Sequence, residues 1–478
     1  MTHDVAIVGA GPVGLFLAIE LATAGIQPLV LERLREPDRA IKAASVGAVA
    51  AEALQRRGLA RALDDESRAF LALMMPGLKA RFASGPIKKP GGHFSGMFLV
   101  DQSLQRDPER HMRPIPQEAL ERILGERASA LGVEVRRGVV LEALDAREDG
   151  VTVQTSRGAL HARYLVGCDG GRSRVRKLAG FEFPGTDPTI TGYQAVVELD
   201  APDKLTRGWQ RTPRGLVVFG VIPGRIFTAE FDGAPPHRDE PLGRDEVEAS
   251  IQRVSGTDVR ITSMTMASRW TDNARQATTY RKGSILLAGD AAHVHSPFGG
   301  QGLNLGIVDA ANLGWKLALA VNGRDELLDS YTAERHPVAA HVLENTRAQV
   351  ALMRPDPLTS ALRTIVADVM KLPEGNRYFG EMLTGVGIRY DLGDDEPSVG
   401  TLVKDQAIEL ADGSEARLYS LMEKGGGLWV SPSERVLPRG VRWVRTKEGA
   451  SMLVRPDGCV AWVEGSARSF EDALGTWF

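Results

Sequence analysis

Val5-Ala6-Ile7-Val8-Gly9-Ala10-Gly11-Pro12-Val13-Gly14 stands at the start of the chain and decides its fold. Four apolar residues without alternation read as a strand buried on both faces, the style of a parallel sheet. The next six residues are G-x-G-x-x-G. The first glycine makes the tight turn, the second lets a pyrophosphate approach the backbone, and the third lets the following helix pack on the sheet. Leu15–Ala24 has helical spacing, with Gly25 as its stop. Pro28–Leu31 is the next strand. Glu32 follows it, 18 residues after Gly14, where an acid can bind a ribose hydroxyl pair.

A second glycine-rich device lies far downstream. Ile285–Ala288 is a short apolar strand ending in Gly289-Asp290, and Gly299-Gly300-Gln301-Gly302 opens a helix over Leu303–Leu319. Glycines admit a ligand close to the backbone, and a helix N-terminus offers free N–H groups and a positive dipole end. Between the two devices, Tyr164–Val166 is a strand running into Gly167-Cys168-Asp169-Gly170-Gly171. Arg172, Arg174 and Arg176 come next, either to meet phosphates or as a solvated basic turn.

Composition narrows the function classes. Hydrophobic residues at 43% and charged residues at 25% are those of a soluble globular protein. The net charge of −3 gives no basic excess for nucleic acid or an anionic membrane. Cys168 and Cys459 lack C-x-x-C spacing, which argues against a disulfide framework and predicts a cytoplasmic protein. No apolar run reaches spanning length, and a chain that enters a strand at once predicts no signal peptide.

The 478 residues allow two or three domains. Helices are expected at Val46–Arg57 and Pro116–Leu131, and an irregular stretch, with room for a hairpin, at Met75–Gly96. Residues 183–282 change style. Thr191–Leu199, Leu216–Val221 and Ile226–Phe231 read as antiparallel strands, and His237–Glu248 as a charged loop. Leu327–Met353 reads as a long helix interrupted at His336-Pro337. Residues 395–478 read as a small α/β unit. Arg56-Arg57 and Arg61 read as a solvated helix face.

Three motifs in this order resemble the FAD-dependent aromatic hydroxylases with the para-hydroxybenzoate hydroxylase fold. Gly167–Gly185, Ala288–Lys316 and Leu328–His336 are especially similar to the hydroxylases of aromatic polyketide biosynthesis, with the rifamycin monooxygenases close behind. The resemblance covers nearly the whole chain. It implies an α/β fold: a Rossmann-like FAD domain (1–75, 100–182, 283–325) and an inserted antiparallel-sheet substrate domain (76–99, 183–282). A helical connection (326–394) and a thioredoxin-like C-terminal domain (395–478) complete it. Met452–Trp462 is similar to the last hairpin of that domain, which has no C-x-x-C here.

The same resemblance implies the site. Gly9, Gly11, Val13, Gly14, Glu32 and Arg33 would hold one end of FAD, and Gly289, Asp290, Pro297, Gly302, Leu303 and Asn304 the flavin end. Asp169 matches the family's DG motif and Gln117 its FAD-contacting glutamine. Lys42 stands where the family usually has arginine, and Val49 where a second arginine is common. Lysine keeps the charge but loses the planar fork. The implied reaction is reduction of FAD by NADPH (or NADH), uptake of O₂ as a C4a-hydroperoxide, and transfer of OH to a bulky aromatic substrate. The oligomer would be a monomer or homodimer.

Other readings compete. A reductase or dehydrogenase of the same superfamily would need no oxygen-transfer pocket, and a non-enzymatic FAD scaffold would have no need to pose isoalloxazine. His293-x-His295 lacks a third ligand at metal spacing. Met74-Met75, Met97-Phe98, Trp209, Phe219 and Phe227 are candidates for an apolar pocket, with core packing as the plainer account of each.

Overall fold

The structure is a computed structural model that describes residues 2–38, 40–74, 92–235 and 240–478. The strand Thr2–Val8 lies inside an eight-stranded sheet. Leu29–Glu32 and then Glu134–Arg137 follow it on one side; Gly158–Gly167, Ile285–Leu287 and Arg281–Lys282 follow on the other. The first five of these six run parallel. Val5, Ala6 and Ile7 are fully buried, as an unalternated apolar strand requires.

The helix Pro12–Thr23 packs on the helix Gly302–Val321, and glycines let the two backbones close. A Cβ on Gly306 would stand 2.6 Å from Val13, and one on Gly314 would stand 2.4 Å from Glu20. The strands also finish together. Gly9 donates its amide to Leu31, Cys168 to Val8, and Ala288 to Gly167. The three glycine motifs, scattered over 280 positions from Gly9 to Gly289, therefore meet at the carboxyl ends of one parallel sheet. That edge is where open α/β sheets bind ligands.

A second sheet of five antiparallel strands has the order Ile261–Trp270, Thr191–Leu199, Arg225–Glu230, Gly215–Phe219 and Gly208–Thr212. One face packs Val197, Val217 and Ile226 against Val247, Ile251 and Val254 of the helix Arg244–Ser255. The expected charged loop His237–Glu248 is corrected from Arg244 onward, and its residues 237–239 lie outside the described residues. The spacing of those three apolar residues makes a helix, and Gly256 ends it in the left-handed region at φ 72°. The second correction concerns Pro337, which lies inside a continuous helix, Asp329–Met353. Tyr331, Arg335 and Ala339 are buried on either side of the proline, so packing carries the helix across the missing N–H.

The last residues form a four-stranded sheet, Val441–Arg445, Gly427–Ser431, Met452–Val454 and Val460–Val463, backed by the helix Phe470–Trp477. It is joined to the rest by buried charge. Arg455 donates to both Glu334 oxygens at 2.8 and 2.7 Å and to Asp457 at 2.5 Å. Lys316 lies 2.9 Å from Glu334.

The expected solvated face also fails here. Arg61 is 95% exposed, but Arg56 and Arg57 are each 2% exposed. Arg57 donates twice to Glu20, at 2.9 and 2.6 Å, and to the carbonyls of Met422 and Pro456. Arg56 donates to the Asp457 carbonyl. An arginine beside a helix end carries no mark of such partners in the sequence. Of the Met75–Gly96 stretch, residues 75–91 lie outside the described residues.

Candidate active site

The first glycine turn is held by Glu32. One carboxylate oxygen accepts from Ala10 N and the other from Leu34 N, each at 2.8 Å. Arg33 beside it is exposed. The three glycines divide their tasks by geometry. Gly9 has φ 111°, and a Cβ there would sit 2.3 Å from the Cys168 carbonyl. A Cβ on Gly14 would sit 2.0 Å from the Gly9 carbonyl, whereas one on Gly11 would meet nothing within 4 Å. Gly11 also begins the helix Pro12–Thr23 with no side-chain cap. The turn thus leaves open space in front of an uncapped helix N-terminus, which suits a pyrophosphate.

Val13 ties this turn to the second device, its methyls lying 3.0 Å from a Cβ placed on Gly289. Gly289 donates its amide to Asp309 at 3.1 Å. The same Asp309 oxygen is 2.7 Å from His293 Nε2, and its other oxygen accepts from Arg335 at 2.8 Å. Burial works against the Asp309 charge, yet Arg335 and His293 outweigh it and hold the carboxyl below the usual carboxylate range. His293 is therefore a structural partner of a buried aspartate, and no group of three metal-ligating side chains occurs among the described residues.

Asp290 is exposed and stands by Gly302, where a Cβ would lie 3.6 Å from its Oδ1 and 3.7 Å from His295 Nε2. His295 Nε2 is buried with no partner among the described residues, and burial lowers the pKa of its ring. Asn304 fastens two backbones at once: its oxygen accepts Gly47 N at 2.6 Å and its amide donates to Gly300 at 2.8 Å. Pro297 is exposed and Leu303 half-buried on this turn. The helix Gly302–Val321 starts without a side-chain cap. Its free N–H groups, exposed Asp290 and the orphaned His295 nitrogen form a second polar surface beside the Gly11 opening.

The remaining predicted residues fall in two places. Asp169 accepts from Ser173 Oγ, Arg174 N and Val175 N at 2.5, 2.6 and 3.1 Å, so its carboxylate caps the short helix Arg174–Leu178. Arg176 is buried, donates to the carbonyls of Ala291 and Gly171, and stacks on Phe183. It braces the second glycine device; neither phosphate contact nor solvated turn describes it. Lys42 lies 3.1 Å from Asp38 and 3.9 Å from Glu121, and Gln117 donates to Glu121 at 2.8 Å. Lys42 is thus anchored among acids on the segment that leads to Gly47.

Over the Pro297–Gly302 turn the second sheet presents aromatic rings. Phe298, buried in the turn, has Trp270 at 5.5 Å, Phe227 at 6.1 Å and Trp209 at 6.4 Å between centroids. Phe227 and Trp270 are stacked at 4.7 Å. Trp270 Nε1 is buried without a partner among the described residues. Phe219 belongs to the opposite face of the sheet, with the Arg244–Ser255 helix. Met97 is buried and Phe98 exposed. A separate cavity of about 550 Å³, lined by Arg106, Arg110, Lys404 and Thr384 among others, opens between residues 102–110 and 384–406. Three of its cations are already paired, Arg106 with Glu381, Arg110 with Glu52 and Lys404 with Asp107, and Arg389 donates to the carbonyls of Val399, Asp394 and Glu396.

Residues 2–346 match the FAD binding domain family. The chain belongs to that family, and within it to the FAD-dependent monooxygenases. It is 37% identical to the rifampicin monooxygenase of Streptomyces venezuelae, over 99% of this chain and 98% of that one. The solved structure of OxyS anhydrotetracycline hydroxylase from Streptomyces rimosus superposes with TM-score 0.86 at 37% identity, covering 100% and 99% of the two chains. A dialkyldecalin synthase of Streptomyces rugosporus is 36% identical over 100% of this chain and 99% of that one.

For a flavoprotein monooxygenase of this family, the two uncapped helix ends and the space before Gly11 and Gly300 fit FAD. Asp309 and Arg335 escaped the sequence reading: both are buried, neither sits at a motif spacing, and Asp309 acts on the distant turn at Gly289.

Proposed function

We propose that the protein hydroxylates a bulky, polyketide-type aromatic substrate, using FAD, O₂ and NADPH or NADH as co-substrate. The observation that carries this reading is the aromatic surface of Trp209, Phe227, Trp270 and Phe298 set directly on the glycine turn that would face the flavin. When bound, FAD supplies the oxygen activation.

The residues of the chain bind, orient and exclude water. Gly9, Gly11, Val13 and Gly14 shape the pyrophosphate turn, and Glu32 with Arg33 marks the ribose end. Asp290 would hold the ribitol chain. The helix N-terminus at Gly302, with Leu303 and Asn304, places N–H groups where a reduced flavin carries negative charge. Lys42, on the segment before Gly47, and Gln117, at the start of the helix Gln117–Ala130, would meet the flavin from the other side, and Asp169 acts through the short helix it caps. Pro297 and Phe298 form one wall of the reaction chamber and the antiparallel sheet the other. Residues 183–282 act as the substrate domain and residues 395–478 as a thioredoxin-like structural domain.

A rifamycin-type drug would meet the same surface, and likeness to a rifampicin monooxygenase keeps that substrate in view. Likeness to a dialkyldecalin synthase calls for a test that registers oxygen transfer as well as binding. The test is a panel of anthraquinones, anhydrotetracycline, rifampicin and simple phenols, scored by substrate-stimulated NADPH oxidation and product mass. We expect a polycycle to stimulate oxidation and gain one oxygen. Anaerobic bleaching of the flavin by NADPH with no oxygenated product from any polycycle would leave a reductase.

A further inference from the structure

Ser95 is the one non-glycine residue with a left-handed backbone among the described residues, at φ 51°. Such a conformation is strained for a residue with a side chain and persists where surrounding contacts over-determine it. Here they do. Phe94 and Met97 exchange backbone hydrogen bonds across the turn. Ser95 N donates to Gln349 Oε1 and Ser95 Oγ to the Gln349 carbonyl, both at 3.1 Å. Arg363 donates to the Ser95 carbonyl at 2.8 Å. Gln349 also abuts the flavin-side turn, its Nε2 standing 2.6 Å from a Cβ placed on Gly299.

The side chain this turn aims is His93. Its ring lies 4.5 Å from Trp209 and 4.9 Å from Phe98. Its Nδ1 accepts the Gly96 amide at 3.2 Å, which puts the proton of the neutral ring on Nε2. Burial pushes the imidazole down to about 4, so the ring is neutral at physiological pH. Nε2–H has no hydrogen-bond partner among the described residues. Through Trp209 and Phe298 the ring belongs to the aromatic surface that also holds the unpartnered Trp270 Nε1. An apolar wall with two unspent donors selects a flat ligand that carries oxygen acceptors.

We propose that His93 Nε2–H binds the substrate, donating to a carbonyl or phenolic oxygen of a polyoxygenated aromatic ring system that lies against Trp209. This rests on the hydroxylase reading above and names a group that would position its substrate.

The test is spectroscopic titration of the FAD-loaded protein with 1,8-dihydroxyanthraquinone, anhydrotetracycline and rifampicin, following the visible band of the probe. His93→Gln keeps a donor near the Nε2 position, whereas His93→Asn keeps only an acceptor for Gly96 N. We expect His93→Gln to bind the best probe within about threefold of wild type. His93→Asn and His93→Phe should weaken it about tenfold, the loss of one hydrogen bond, with FAD content unchanged. Equal binding by His93→Asn and wild type would overturn the proposal and leave the hydroxylase reading standing. So would a loss of FAD and fold in all three variants, which would make His93 structural. Wild type that binds none of the three probes would overturn both.

Discussion

One helix, Gly302–Val321, serves two regions of opposite design. Its first turn is uncapped, opens on glycines and stands beside exposed Asp290, leaving polar groups for a ligand. Three turns further on, Asn312 and Lys316 are fully buried in a closed ionic joint with Glu334, Arg455 and Asp457. The difference teaches how to tell a binding surface from a structural one. Both are rich in charge and hydrogen bonds, but the first leaves its helix N–H groups without a side-chain cap, whereas the charges of the second are paired with one another. At the first region His295 Nε2, left an acceptor because Nδ1 donates to the Ser296 carbonyl, has no partner among the described residues; at the second, Trp315 Nε1 and Trp477 Nε1 likewise have none, but the Arg455 and Glu334 charges are matched.

The joint gives the largest effects. Arg455→Met strands Glu334 and Asp457 without their main partner, and loss of one member of a buried pair costs about 3–5 kcal/mol. Thermal unfolding should show it as a drop in Tm that added FAD does not recover. If the drop is no larger than for an exposed arginine, the joint is not closed. Acid attacks the same region. Burial opposes the charge on Glu334, but Arg455 and Lys316 hold its carboxyl well below the usual carboxylate range. A depressed carboxylate stabilises the fold above its unfolded pKa and loses that contribution as pH falls through the folded one. Stability should therefore decline below about pH 4.5, and less steeply in Glu334→Gln.

At the open end, two alanines separate fold from ligand. Gly14→Ala drives a Cβ into the Gly9 carbonyl and should unfold the turn. Gly11→Ala meets no protein atom within 4 Å. It should keep its Tm as apoprotein yet weaken FAD about a hundredfold, or about 2.7 kcal/mol. Equal FAD affinity in Gly11→Ala and wild type would remove the pyrophosphate from this turn. Asn304→Ala releases Gly47 and Gly300 and should cost about 1–2 kcal/mol, read as faster FAD loss on dilution. The smallest effect completes the contrast. Arg61→Ala should change stability by less than about 0.5 kcal/mol, while Arg57→Ala, four residues away, approaches the Arg455 value.

The open region was legible in the sequence because its chemistry is local. Gly9, Gly11 and Gly14 act within six residues, and Gly289-Asp290 with Gly299–Asn304 within sixteen. The closed region was not, because a partner such as Arg455 for Glu334 lies 121 positions away and follows no spacing rule. Arg57 shows the cost of reading a charge run by itself: Arg61 in the same run is exposed, whereas the neighbours of Arg57 in space are Glu20 and two carbonyls of the last domain. The helix Arg244–Ser255 was missed for a simpler reason. Its acidic first turn hid three apolar residues at spacings of four and three.

The aromatic wall lies between these extremes. Trp209 and Phe227 were named as pocket candidates, but only the sheet register shows that Trp270 joins them and Phe219 does not. The most direct measurement of the central claim is incubation of the FAD-loaded protein with NADPH, a polycyclic phenol and isotopically heavy dioxygen, followed by mass analysis of the product. The account predicts a product that carries one heavy oxygen atom, formed only with NADPH present. A converted product without heavy oxygen, or conversion that proceeds equally without NADPH, would contradict it.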